Sequence, residues 1–276
     1  MLQKPYARPL LAFLSGAPIG ILGGLIGLGG AEFRLPVLKA VFNYPTRRAI
    51  ALNLAVSLLT LLAALVVRLG LSAQGALLPL LPVIAGLMAG SILGAYLGAS
   101  YASRLSIAQL DRWVLVLLLG IGTLLIAEGI LPWQSGGVPW GLAVRLPLAM
   151  ACGVGIGVVS SLLGVAGGEL IIPTLVFLFG ADIKIAGTAS VLVSLPTVLT
   201  GLFRYAKGGA FEDRGDLSAL VLPMGVGSIL GAFLGGFLVP YVPADALKIG
   251  LGAILIISAV RIFLNVPERG SDSSAA

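Results

Sequence analysis

Of 276 residues, 58% are apolar, 39 are glycine and only 10% are charged, with a mean hydropathy of +1.10. A water-soluble globule, in which charged residues run near a quarter, could not cover itself with so little polar surface, so the chain reads as an integral membrane protein, neither disordered nor coiled coil. One cysteine (Cys152) and no histidine exclude an internal disulfide and remove the commonest metal ligand and general base.

The net charge of +6 is spread singly at the ends of apolar runs. That pattern sets membrane topology and does not make a nucleic-acid-binding face. No cofactor is expected, and no cleavable signal is read at the N-terminus.

A bilayer crossing needs about 20 apolar residues. In chain order the candidates are 9–30, 48–70, 76–101, 110–131, 146–165, 185–206, 217–239 and 245–264. Two shorter apolar pieces, 33–43 and 170–180, follow the first and fifth of these, each just after a glycine cluster. At roughly 16 Å of helix neither piece crosses alone. The segment 265–276 reads as a disordered tail.

The chain is duplicated at an offset of 137 residues. Between 15–65 and 152–202, 17 of 51 positions are identical without a gap. They include Gly27/Gly164, Gly30/Gly167, Glu32/Glu169, Pro36/Pro173, Phe42/Phe179, Ser57/Ser194 and Thr60/Thr197. Gly90-Ser-Ile-Leu-Gly-Ala95 recurs as Gly227–Ala232. Shared apolar composition produces chance Leu and Val matches but not aligned Glu, Pro, Phe, Ser and Thr, so a repeat is expected.

The two halves are expected to be inverted. If 9–30 and 31–43 form a re-entrant hairpin, and their counterparts do likewise, each half crosses three more times. With the N-terminus inside, 11 basic residues are then cytoplasmic and four (Arg68, Arg145, Lys184, Lys248) face out. Eight simple crossings give nine against six, a poorer fit to the positive-inside rule. The expected organisation is a first transmembrane repeat over 9–131, an external linker over 132–145 and a second repeat over 146–264. The fold class is all-α integral membrane, with both termini cytoplasmic.

The clusters Gly23–Gly30 and Ser160–Gly168 are where the helices are expected to break. Glycine lets the backbone turn through positive φ. A break at bilayer depth is tolerated only when buried in protein or facing a wet cavity. Helices restarting near 31 and 168 would point free N–H groups there, an arrangement suited to an anion. Gly27, Gly29, Gly30, Ala31, Gly164, Gly167 and Gly168 are therefore candidate substrate-binding positions. The rows Gly16/Gly20/Gly24, Gly86/Gly90/Gly94/Gly98 and Gly227/Gly231/Gly235 read instead as close helix packing, which also permits a homodimer.

Glu32 and Glu169 are matched carboxylates within apolar sequence, where a charge costs at least about 2–3 kcal/mol. Two readings stand: proton coupling or gating, or capping of the half-helix amides. Arg34 has Ile171 as its counterpart, and either lends charge to the site or pairs with Glu32. Lys39 is expected to reach the interface. Asn53, Ser57 and Thr60 match Ser190, Ser194 and Thr197, one helical face in each half. Asn53, Ser57, Ser190 and Ser194 either hydrogen-bond an oxyanion or join helices. Pro196 should loosen its helix, and 212–216 reads as a solvated turn.

The pattern Gly-x3-Gly-x6-Gly-x2-Gly-x-Glu-x3-Pro-x-Leu occurs as Gly16–Leu38 and again as Gly153–Leu175. With the polar second span and the repeated Gly-Ser-Ile-Leu-Gly-Ala, it resembles the TauE/SafE family of sulfite and organosulfur-anion exporters over about residues 9–264. The resemblance implies a permease of small sulfur-containing anions in the cytoplasmic membrane, with no ATPase domain.

The reading is a secondary transporter working by alternating access, with a small anion and the lipid bilayer as its partners. The alternatives are an anion channel of the same architecture and proton-coupled uptake of a different small anion. An intramembrane enzyme is disfavoured, because activated nucleophiles need a base.

Overall fold

The computed structural model describes residues 7–44, 46–71, 77–101, 107–131, 141–209 and 215–264. They form ten α-helices and no strand. The first five are α1 (Ala7–Ile26), α2 (Ala31–Ala40), α3 (Thr46–Leu71), α4 (Leu81–Tyr101) and α5 (Ile107–Ile130). The others are α6 (Leu142–Leu163), α7 (Gly168–Pro173), α8 (Ile183–Lys207), α9 (Leu222–Leu238) and α10 (Ala244–Leu264). Helices prevail because each satisfies its own backbone N–H and C=O groups, which lipid cannot do.

Among the described residues six stretches are long and apolar enough to cross a bilayer, in α1, α3, α4, α6, α8 and α9. Eight were expected. The other two expected crossings fall in α5 and α10; among the described residues α5 contributes the apolar piece Leu119–Ile130. The chain is an integral membrane protein: large apolar side chains such as Leu14, Val66, Leu222 and Phe237 are exposed, while Arg34, Asn53, Ser57, Arg68 and Ser194 are buried. The linker residues 132–140 and the tail 265–276 lie outside the described residues.

Glycine sets the closest contacts. Along α1, Gly16, Gly20 and Gly24 lie against Met224, Ser228 and Ala232 of α9, where an added Cβ would stand 2.3, 2.3 and 2.2 Å from their carbonyl oxygens. Matching numbers rise together, so α1 and α9 run parallel. On α4, Gly90 and Gly94 meet Met150 and Val154 of α6, each with its Cβ 2.1 Å from a carbonyl oxygen. The small-residue rows are therefore occupied within the chain, and they leave no argument for a homodimer.

Two further pairs run antiparallel. In α3 and α8, Leu54 lies by Gly201 and Arg68 by Thr188. In α5 and α10, Gly122 lies by Gly252 and Gly129 by Asp245.

Each short helix turns back along the one before it. Leu38 and Phe42 share a buried cluster with Ala12 near the start of α1. Arg145, near the start of α6, donates to the Phe179 carbonyl (3.3 Å). The helix α8 runs unbroken through Pro196, where the sequence suggested loosening.

Two charged residues are bonded within the chain. Arg68, counted among the residues expected on the outer side, is 2% exposed. Asp216, taken as part of a solvated turn, pairs with Arg48 and accepts from Tyr44, tying the segment before α9 to the start of α3; 210–214 lie outside the described residues.

Candidate functional site

Both glycine clusters interrupt their helices. Gly27, Gly29, Gly30, Gly164 and Gly167 all have positive φ, from 68° to 95°, a region L side chains with a Cβ rarely enter. The helices resume at Ala31 and Gly168. The two breaks pack on each other: a Cβ on Gly168 would lie 3.1 Å from Leu28 Cα, and one on Gly29 would lie 3.3 Å from Ala166 Cβ.

Polar residues of α3 and α8 secure these breaks. Asn53 Nδ2 donates to the carbonyls of Ala31 (2.8 Å) and Gly164 (2.9 Å). Ser190 Oγ donates to the Gly27 carbonyl (3.0 Å). Asn53 and Ser190 are 137 apart, as are Gly27 and Gly164, so each half's α3-type helix holds the other half's break. Satisfying those carbonyls is what makes such a break tolerable inside an apolar body.

Arg34 is fully buried and uses all five guanidinium N–H groups. Nε donates to Asn53 Oδ1 (3.3 Å), and Nη1 to Thr60 Oγ1 (2.8 Å) and Ser228 Oγ (3.2 Å). Nη2 donates to Ser57 Oγ (2.7 Å) and to the Gly29 carbonyl. Every acceptor is neutral, so the positive charge is hydrogen-bonded without a directly bonded anion.

In the second half Ile171 replaces Arg34. There Ser91 and Thr197, the counterparts of Ser228 and Thr60, bond each other directly (2.7 Å). Ser194, the counterpart of Ser57, keeps a buried Oγ with no partner.

Glu32 and Glu169 lie in the first turns of α2 and α7. The Oε1 of each is buried without a partner. Lys39 is exposed.

With this geometry in view, the comparison with known families is direct. The profile of the family described as Sulfite exporter TauE/SafE matches residues 2–125 and 149–275. The chain belongs to the TauE/SafE family. It is a multi-pass transmembrane transporter by that membership, a class of carriers rather than enzymes. No curated protein and no solved structure matches it. Family membership leaves the anion, the coupling and the roles of individual residues to physical argument.

Sequence reasoning missed two buried groups that hold this TauE/SafE chain together. Arg68 donates to the carbonyls of Gly24 (3.0 Å) and Leu25 (2.6 Å) at the end of α1, and to Lys184 O and Thr188 Oγ1 of α8 (both 3.4 Å). A guanidinium on terminal carbonyls also suits the negative end of the helix dipole. Its counterpart, Tyr205, donates to the Ser161 carbonyl (3.2 Å), and Ser161 is the counterpart of Gly24. The available signal was positional: both residues follow their break by 41 residues.

The second group is an ion pair between helices, Lys248 Nζ with Glu128 Oε1 at 3.1 Å.

Proposed function

We propose that this TauE/SafE chain is a secondary transporter of a small sulfur-containing anion, sulfite or an organosulfonate, that works by alternating access between two inverted repeats, 9–131 and 146–264. The carrying observation is the meeting of the two glycine breaks, each held by a polar residue from the other half. Inversion is supported by the antiparallel pairing of α3 with α8 and of α5 with α10, since the partners in each pair are 137 residues apart. The helix pairs α1–α2 and α6–α7 act as re-entrant hairpins whose turns lie at mid-depth. An inverted pair of such turns gives one central site with two equivalent ways out.

The anion binds where the breaks meet. The first-turn N–H groups of α2 supply hydrogen bonds, and Arg34 supplies a fixed positive field. Gly27, Gly29, Gly30, Ala31, Gly164, Gly167 and Gly168 form the backbone of this site. Asn53, Ser57 and Ser190 brace it, and Ser194 offers a free hydroxyl. Glu32 and Glu169 control access to the amides. In this reading ion gradients or the membrane potential drive the cycle.

The test is binding and flux with purified protein. Sulfite and methanesulfonate should raise the melting temperature and cross proteoliposome membranes with saturating rates, chloride should do neither, and Gly30→Leu or Gly167→Leu should abolish both. Absence of any selective response to a sulfur oxyanion would remove the substrate assignment. Currents that grow linearly with anion concentration would favour a channel.

A further inference from the structure

The oxygens that surround Arg34 have counterparts in the second half, and those counterparts stand without an arginine. We propose that they bind one alkali-metal cation, which takes the place there that the Arg34 guanidinium takes in the first half. The acceptors of Arg34 are Asn53, Ser57, Thr60, Ser228 and the Gly29 carbonyl. At the offset of 137 they become Ser190, Ser194, Thr197, Ser91 and the Ala166 carbonyl, an oxygen for an oxygen at every position. Arg34 itself becomes Ile171.

The helices that carry the two sets match contact for contact. A Cβ on Gly16 would lie 2.3 Å from the Met224 carbonyl oxygen, and one on Gly153 2.4 Å from that of Leu87. Gly20 and Gly157 approach the carbonyls of Ser228 and Ser91 in the same way, at 2.3 and 2.1 Å. Thr60 donates to Val56 O (2.9 Å) and Thr197 to Val193 O (2.8 Å). Arg34 Nη1 joins Thr60 to Ser228, whereas Ser91 and Thr197 touch directly at 2.7 Å.

The second set is made of acceptors in want of a cation. Its hydroxyl protons have carbonyls to go to: Gly27 O for Ser190 (3.0 Å), Met88 O for Ser91 (3.0 Å) and Val193 O for Thr197. With the protons there, Ser91 and Thr197 face each other through lone pairs, an arrangement that a cation between them stabilises. Ser194 is fully buried and its Oγ has no hydrogen-bond partner, an unfavourable state for a hydroxyl. Ile171 offers no donor, and an isoleucine ends at the bond before an arginine's first guanidinium nitrogen.

Neutral hydroxyl and carbonyl oxygens are hard ligands, suited to hard cations. In the first half the same kind of set carries a charge of +1 with no anion bonded to it. A divalent ion would bury twice that charge, so a monovalent one fits. Carbonyls at an unwound helix are where transporters with broken helices hold such ions. Bound there, the ion ties α4 and α8 to the second break as Arg34 ties α9 and α3 to the first. A hydroxyl that binds a cation through a lone pair keeps its O–H, so Ser194 remains a donor to the anion proposed above. The cation site itself does not depend on that transport reading.

The probes are radioactive sodium and rubidium, the second reporting on potassium, with purified protein in detergent and N-methylglucamine chloride as the only other salt. At least one tracer should bind saturably at one ion per chain and be displaced by its unlabelled ion but not by more N-methylglucamine. The same ion should raise the melting temperature. Ser194→Ala should weaken binding by about tenfold or more, yet melt with the wild type in the ion-free buffer. Ile171→Arg should remove both the binding and the ion-induced shift, because its guanidinium takes the same oxygens. Lack of saturable binding of either tracer to the wild type overturns the proposal. Binding that neither variant weakens overturns it too, since the ion then sits elsewhere. Should Ile171→Arg not fold, Ser194→Ala decides alone.

Discussion

At the scale of single residues, the two halves share positions but not chemistry. Ser57 accepts from Arg34, whereas its counterpart Ser194 is buried and unpartnered. Ser57→Ala strands one guanidinium N–H in an apolar surround and should cost about 1–3 kcal/mol. Ser194→Ala removes a hydroxyl that bonds nothing and should stay within about 0.5 kcal/mol. Melting temperatures in detergent compare the two, and equal losses would contradict the asymmetry.

Arg34→Met leaves four hydroxyl or amide acceptors and the Gly29 carbonyl short of their donor, so a larger loss is expected, along with loss of anion-induced stabilisation. Arg34→Lys should rescue this poorly, because an ammonium has three donors and no planar fork to serve five acceptors.

At the scale of elements, close helix approach depends on the absence of side chains at a few sites. Gly20 in α1 and Gly157 in α6 leave no room for a Cβ, which would stand 2.3 and 2.1 Å from the Ser228 and Ser91 carbonyls. Gly70 and Gly250 have nothing within 4 Å. Gly20→Val and Gly157→Val should each destabilise by at least about 1–3 kcal/mol through overpacking. Gly70→Ala and Gly250→Ala should be neutral or stabilise by up to about 1 kcal/mol, since Ala is the better helix former. Thermal unfolding of the four variants checks this contrast. The breaks are legible in sequence because positive φ is a local demand that glycine meets. Their bracing is not, because the acceptor of Ser190 lies 163 residues away.

For the whole molecule, inversion predicts that residues 137 apart face opposite sides of the membrane. Gly70 and Lys207 form such a pair, one at the end of α3 and the other at the end of α8. Cys152 is the only cysteine, so Cys152→Ser provides a blank background. In it, Gly70→Cys and Lys207→Cys should react with an impermeant maleimide from opposite faces. Labelling from the same face would rule out the inverted arrangement.

Arg68 contributes at this scale too, because it joins the end of α1 to the start of α8 across the two halves. Arg68→Ala should destabilise more than Tyr205→Phe, because it removes a buried guanidinium that donates to carbonyls of both α1 and α8, against one neutral hydroxyl bonded to the Ser161 carbonyl.

The membrane class, the duplication and the sites of helix interruption were determined by the sequence itself. Each rests on composition, on aligned residue types or on a backbone angle that one glycine allows. Tertiary structure decided the rest. It took the glycine rows into contacts within the chain, buried Arg68 as a cap and gave Arg34 five neutral partners. Those outcomes depend on which helices become neighbours, and in this fold the neighbours come mostly from opposite halves. A hydrogen bond between residues more than 100 positions apart leaves no periodic or local trace, so only the packed structure reveals it.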